Sequence, residues 1–317
     1  VLSVRERPKA AEDLTFPVPD GFRLGSGESL PGESLRIRRH GDNVLPNVLV
    51  MGGISASRRL NGPDGWWSDI VGSGLALDTD RYCAIGVDFA PHEDIRVRIT
   101  PQDQAQLIAI ALDELSVEHL SFIGASYGGM VGLAFAQAFP ERTQRLCVIS
   151  AAHRPHALGS AWRGVQRRMV EFALEQGAPE HGLSLARQLA MVTYRSAEEF
   201  ETRFRCTLDQ EGQSDLDRYL VSRGEAFLRS MPPRRWLSLS EAIDRTDVAP
   251  ELVTAPTTLI ACSSDQLTPW SQMEDIAKRL PRLKAFHTIS SLYGHDAFLK
   301  EPRQLSRLLR AFLDSPT

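Results

Sequence analysis

Short apolar runs recur along the chain and set its frame. Asn47-Val48-Leu49-Val50-Met51 is apolar almost without interruption and stops at Gly52-Gly53. A run of this length without alternation reads as a strand covered on both faces. Runs of the same kind occupy residues 82–87, 120–123, 146–149 and 258–262, with a weaker one at 284–289. Residues 34–39 differ, because Leu35 and Ile37 alternate with polar neighbours, the period of a strand with one covered face. Between several of these runs the apolar spacing changes to three and four. That spacing predicts helices over 101–115, opened by Thr100-Pro101, over 129–139, closed by Pro140, and over 271–280 and 302–313. Strands alternating with helices imply an α/β domain with a mostly parallel sheet and helices on both faces.

The alternation fails between about residues 155 and 250. That stretch holds helical patterns at 162–175, 183–194, 197–205, 216–229 and 236–244 and no convincing strand. It reads as a helical cap, or lid, inserted into a core made of residues 1–154 and 251–317. Residues 1–18 read as a polar tail. There is no internal repeat and no low-complexity tract.

A length of 317 residues is compatible with two domains or with one large α/β domain carrying an insertion, and the pattern favours the second. A net charge of −4 lacks the basic excess of a dedicated nucleic-acid binder. No apolar run approaches the roughly 20 residues needed to cross a bilayer. Residues 1–7 have no apolar stretch of signal-peptide length, and the chain opens on Val1, which leaves room for residues upstream. Cys83, Cys147, Cys206 and Cys262 are scattered, and three fall in or beside apolar runs, as small core residues do. This fits a reducing, cytoplasmic setting. No His or Cys pair has ligand spacing with a third partner, so no metal site is expected.

The chemistry gathers at Gly124-Ala125-Ser126-Tyr127-Gly128-Gly129, between an apolar strand and a helix. In that context G-x-S-x-G is a nucleophile elbow, with the serine on a sharp strand-to-helix turn and the glycines permitting close packing. The competing reading is a glycine-rich turn with a bystander serine. A dinucleotide fingerprint is a poor rival, because Ser126 stands where the second glycine would be. A serine hydroxyl is a weak nucleophile and needs a base, and the base needs an orienting carboxylate. In this fold the order is serine, acid, histidine. Of the two histidines in the last third, His287 sits inside a strand-like run and reads as structural. His295 lies in the loop after the final strand, where a base belongs. Asp265 lies just beyond the preceding strand; alone it could be a turn or helix-cap residue, but with Ser126 and His295 it completes a triad. The oxyanion hole requires two backbone N–H groups. Tyr127 supplies one by its position after the nucleophile, and Gly53 or Ile54, in the glycine-rich loop after 47–51, supplies the other.

Taken together, these residues resemble the homoserine O-acyltransferases of the α/β-hydrolase superfamily. The resemblance runs from about residue 23 onward. It is carried by Ser26-Gly27-Glu28, Trp162-Arg163-Gly164-Val165-Gln166-Arg167, the long stretch Leu185-Ala186-Arg187-Gln188-Leu189-Ala190-Met191-Val192-Thr193-Tyr194-Arg195-Ser196, Tyr219-Leu220 to Leu237-Ser238, and Gly294-His295-Asp296-Ala297-Phe298-Leu299. It implies transfer of an acetyl or succinyl group from acyl-CoA, a co-substrate rather than a resident cofactor, to the hydroxyl of homoserine through an acyl-Ser126, serving methionine biosynthesis. It further implies that Arg187 grips the amino-acid carboxylate, with Tyr194 two helical turns away on the same face, that Asp296 holds the substrate ammonium, and that the protein is a homodimer joined through its cap helices. Two departures mark a divergent branch: Tyr127 replaces the usual methionine, and the oxyanion loop reads Gly52-Gly53-Ile54-Ser55-Ala56. Arg58 and Arg59 follow that loop; one reading has them meet a succinyl carboxylate or a CoA phosphate, the commoner one has them face solvent. Transfer to serine, simple ester hydrolysis and an inactive binding protein are the rival readings.

Overall fold

The computed structural model describes residues 11–315. One eight-stranded sheet organises it, in the order β1-β2-β4-β3-β5-β6-β7-β8. The strands are β1 (Glu12–Pro17), β2 (Ser34–His40), β3 (Asn47–Met51), β4 (Cys83–Val87), β5 (Leu120–Ala125), β6 (Thr143–Ile149), β7 (Thr257–Cys262) and β8 (Leu283–Ile289). From β4 to β8 every pairing is parallel, and β1 and β2 join antiparallel at one edge. The even apolar runs are explained by two separate cores. Leu49 and Met51 of β3 pack into one cluster, while Val48 and Val50 pack into the other on the opposite face. A strand buried on both sides favours apolar residues at successive positions.

One expectation is corrected. Residues 11–18 are not tail: β1 pairs with β2 from Glu12 opposite Arg39 to Pro17 opposite Ser34. Its outer residues are charged because an edge strand faces water, and Glu12 and Asp13 form ion pairs with Arg39 and Arg38 across the ladder. The remainder of the expected tail, residues 1–10, lies outside the described residues.

The helices follow the apolar spacing closely. α1 (Pro101–Glu114) starts in a capping box in which the Thr100 hydroxyl accepts from the Asp103 N–H and the Asp103 carboxylate accepts from the Thr100 N–H. α2 is Tyr127–Ala138. Between β6 and β7 lie α3 (Ala157–Glu175), α4 (Pro179–Tyr194), α5 (Ala197–Arg203), α6 (Asp215–Leu228) and α7 (Pro233–Asp244). α3 packs on α4 and α4 on α6, while α7 touches both α3 and α4. α7 is also pinned to the loop after β4, where the Ser238 hydroxyl accepts from the Val97 N–H and donates to Ile95 O. α8 (Trp270–Arg279), α9 (Ala297–Lys300) and α10 (Pro302–Asp314) complete the fold. Cys83, Cys147 and Cys262 are buried as free thiols and Cys206 is exposed. Among the described residues no helix is long and apolar enough to cross a membrane.

Parallel strands end on the same edge of a sheet. The loops after β3, β5, β7 and β8 therefore converge, and each of them carries a residue that the sequence analysis singled out.

Candidate active site

The turn from β5 into α2 holds Ser126 at φ +54°, a backbone conformation uncommon for a residue with a side chain. The flanking glycines make the turn possible. A Cβ at Gly124 would lie 2.3 Å from Gly128 O, and one at Gly128 would lie 2.4 Å from Met51 O. Both approaches are shorter than any side chain tolerates, so the tight packing of β3, β5 and α2 requires glycine at both positions. The strain lifts the Ser126 hydroxyl clear of the sheet edge at the N-terminus of α2.

There it meets the two predicted partners. Ser126 Oγ lies 2.7 Å from His295 Nε2, and His295 Nδ1 lies 2.8 Å from Asp265 Oδ2. The other Asp265 oxygen accepts from the N–H groups of Leu267 and Thr268, at 2.9 and 3.0 Å. The carboxylate is thus both the turn residue of the competing reading and the partner of the imidazole, one oxygen for each role. Burial by itself lowers the His295 pKa; the charge and hydrogen bond of Asp265 outweigh it, Asp296 acts in the same direction and Arg163 opposes, leaving the imidazole above its ordinary value. Because only neutral imidazole accepts the serine proton, the acid limb of a kcat/KM–pH profile is expected above the usual histidine value of about 6.5. A limb at or below that value would contradict the environment described.

Among the described residues the N–H groups of Tyr127, Gly53 and Ile54 make no hydrogen bond within the protein, which leaves them available to an oxyanion. A Cβ at Gly53 would sit 3.9 Å from Ser126 Oγ, so that loop closes directly over the Ser126 hydroxyl. The Gly128 N–H donates to Gly52 O at 2.8 Å and ties the loop to the elbow. The Tyr127 side chain points the other way. It is fully buried, with its ring 4.9 Å from that of Phe89, and burial pushes its phenol pKa up. A tyrosine where methionine is usual is thus a packing difference behind the site.

The triad faces a cavity of about 170 Å³ between the sheet edge and the inserted helices. Arg187 and Tyr194 both line it from α4, as their seven-residue spacing predicts. The Arg187 guanidinium lies 4.7 Å from the centre of the Phe227 ring and 5.4 Å from that of Tyr194, and the Tyr194 ring is 5.9 Å from His295. No carboxylate among the described residues forms an ion pair with Arg187. Asp296 lines the same cavity, but it is not free, since Oδ2 lies 3.0 Å from Nε of the buried Arg195. Arg195 also donates to both oxygens of Glu199. Its partnership with Asp296 was missed in the sequence because the residues are 101 apart and nothing local pairs them. Gly294, next to His295, has φ +53°, and a Cβ there would lie 2.5 Å from Tyr194 O, so the His295 loop is pressed against the end of α4. His287 lies in β8, outside the cavity.

Arg58 and Arg59 do not reach the site. Arg58 is taken up by Asp88 and Asp13, at 2.6 and 2.8 Å, while Arg59 sits at the surface 3.5 Å from Asp64. Among the described residues no group of three or more His, Cys, Asp or Glu is arranged to hold a metal ion.

Residues 46–302 match the family model of the alpha/beta hydrolase fold. The chain is 37% identical to a homoserine O-succinyltransferase of Xanthomonas campestris pv. campestris, over 88% of this chain and 78% of that protein. The chain belongs to the homoserine O-acyltransferases. It is also 30% identical to a homoserine O-acetyltransferase of Thermus thermophilus, over 96% of this chain and 92% of that one. Family membership therefore spans relatives named for different acyl groups. In three dimensions the chain superposes on the crystal structure of esterase E22 with a TM-score of 0.86 at 19% identity, covering 96% of this chain and all of that one. Homoserine O-acyltransferases thus share their architecture with ester-cleaving enzymes, and the acceptor must be argued from the site.

Proposed function

We propose that this protein transfers an acetyl or succinyl group from acyl-CoA to the hydroxyl of L-homoserine by way of an acyl-enzyme on Ser126. Ser126 Oγ attacks the thioester carbonyl while His295 Nε2 takes its proton, and Asp265 stabilises the imidazolium. The N–H groups of Tyr127 and of Gly53 or Ile54 hold the oxyanion. The carbon–sulfur bond breaks and the thiolate of CoA takes the proton from His295. Homoserine then enters, its hydroxyl gives a proton to His295 and attacks the ester carbonyl, and Ser126 recovers the proton as it leaves. Arg187 holds the homoserine carboxylate and Tyr194 borders it. Asp296 faces the ammonium with the oxygen not turned to Arg195. CoA is a substrate in this scheme, and no resident cofactor takes part.

The observation that carries the reading is the Arg187 guanidinium, held between two aromatic rings in the triad's cavity with no carboxylate of its own. Arginine stacked in this way is positioned for bidentate contact with a carboxylate, which an amino-acid acceptor brings and water does not. Transfer to serine differs by one methylene, worth only about 1–3 kcal/mol in a pocket. The experiment is CoA release from acetyl-CoA and succinyl-CoA with homoserine, with serine and with no acceptor. Release that depends on homoserine supports the reading. Release at full rate without an acceptor would replace it with a hydrolase.

The inserted helices, residues 155–250, act as the cap that separates this cavity from water. Leu158, Val165 and Phe172 on α3 and Leu185 and Val192 on α4 are exposed at seven-residue intervals, each series forming one face of its helix. This is the surface through which two copies join as a homodimer, a face too apolar to be left to solvent. Phe172→Glu is expected to shift the protein from dimer to monomer in sedimentation velocity, and an unchanged profile would remove the assignment. Buried free thiols fit a cytoplasmic enzyme, and the product fits a role in methionine biosynthesis.

A further inference from the structure

The wall of the cavity made by the end of β6 and the start of α3 takes no part in the scheme above, yet it is strongly polar. Ser150 follows β6 directly, at φ +46°. The neighbouring Ile149 O accepts the Ser126 N–H at 2.9 Å, so Ser150 stands one residue from the strand contact that seats the nucleophile. Its side chain is buried, and its hydroxyl has no hydrogen-bond partner among the described residues. His156 Nδ1, on the same wall, is likewise buried without a partner. A native fold rarely leaves buried polar groups unmatched, and both residues line the reaction cavity.

Arg163 lines the same cavity. Its Nε and Nη2 are bound to Asp244 at 3.0 and 2.5 Å. Nη1 makes no hydrogen bond among the described residues, so two donors remain on a residue that lines the cavity. The first turn of α3 makes room for the guanidinium, since a Cβ at Gly159 would lie 3.2 Å from Arg163 Nη1. Asp244 serves two arginines, because Arg167 holds its other oxygen at 2.7 Å. This wall therefore keeps a surplus positive charge. Arg154 adds another at the rim, exposed and with no ion pair among the described residues. Homoserine brings one carboxylate, which Arg187 takes in the scheme above; the charge and unmatched donors of this wall fit a second anion in the cavity that Ser126 also lines.

We propose that Ser150, His156 and Arg163, with Arg154 at the rim, seat a carboxylate at the far end of the acyl group, so that the donor is a dicarboxylic monothioester of succinyl length rather than acetyl-CoA. The proposal rests on the acyl-enzyme reading above and adds to it the identity of the acyl group. A planar carboxylate facing Nη1 and the Ser150 hydroxyl would satisfy both. An acetyl group would leave both buried groups unmatched, and the loss of such partners is what allows a polar subsite to reject an analogue strongly.

The test reads acylation of Ser126 alone, as the p-nitrophenolate burst from the p-nitrophenyl monoesters of succinic acid and of butyric acid. The two acyl chains have the same length and differ in the terminal carboxylate. We expect the succinyl ester to acylate the wild-type protein at least about tenfold faster. Ser150→Ala should bring the ratio close to one while the butyryl burst stays within about twofold of wild type; Arg163→Gln should also bring the ratio close to one, whatever its effect on the butyryl burst, because Arg163 also acts on His295. Arg154→Ala, at an exposed position that disturbs no ion pair, should lower the ratio partway. Arg187→Ala should leave it intact. Parallel loss of both esters in Ser150→Ala, a ratio untouched by Ser150→Ala and Arg154→Ala together, or a ratio erased by Arg187→Ala would each overturn the proposal. The last would place the acyl carboxylate on the acceptor's arginine. The burst uses neither CoA nor homoserine. A hydrolase with this subsite would keep the ratio, whereas an acetyl-specific transferase would lose the ratio and keep homoserine-dependent CoA release. No burst from either ester sinks both readings.

Discussion

Ser126→Ala is expected to lower homoserine-dependent CoA release by about 10⁴-fold or more, the scale seen when the nucleophile of a catalytic triad is removed. The substitution deletes one hydroxyl whose hydrogen bond is to His295. The imidazole keeps its bond to Asp265, and Asp265 keeps its two backbone donors. The fold should therefore survive, and the thermal midpoint is expected within a few degrees of wild type. Intact-mass spectrometry should show an acyl adduct on the wild-type protein supplied with donor alone and none on the variant. The two measurements separate mechanisms. If the variant retained transfer within tenfold of wild type, the acyl group would pass directly to the acceptor, and the elbow would be inherited scaffold.

Arg187→Ala is expected to raise the KM for homoserine roughly 10- to 100-fold, the value of a charge-assisted hydrogen bond of about 1.5–3 kcal/mol. Acylation of Ser126 should change little, since the donor does not use this side chain. Arg187→Lys should recover only part of the loss. Its ammonium keeps the charge but lacks the planar fork and the stacking that the rings of Phe227 and Tyr194 provide. Initial rates against homoserine at saturating donor give the answer. A KM unchanged in Arg187→Ala would move the acceptor carboxylate elsewhere in the cavity and weaken the argument for an amino-acid acceptor.

The correspondence between sequence and structure was uneven, for physical reasons. β3, β5, β6 and β7 were legible because each has a central segment buried on both faces, and such burial favours a mostly apolar run. β1 was not, because an edge strand exposes alternate residues to water and there resembles a polar tail. Helix starts were legible where a cap announces them, as at Thr100. They were blurred where it does not: α3 begins at Ala157, five residues before the expected start, with no side-chain cap at His156.

The elbow, the chain order of Ser126, Asp265 and His295, and the placing of Arg187 and Tyr194 on one helix face follow from local pattern alone. These depend on local geometry: strand, sharp turn, helix, and the seven-residue repeat of an α-helix. Which charges are already matched depends on the folded arrangement. Arg58 lies near the oxyanion loop in sequence, but Asp88 and Asp13, 30 and 45 residues away, neutralise it. Asp296 is shared with Arg195, a buried residue 101 positions away. Ser150 carries no motif that marks it, and the family-like stretch around Arg163 gives that side chain no role, yet β6 and α3 bring both to the same cavity with donors unspent. The strength of a charge depends on its distance from others and on how little water lies between them. Neither quantity follows from spacing along the chain, and both are set when the parallel strands end together on one edge.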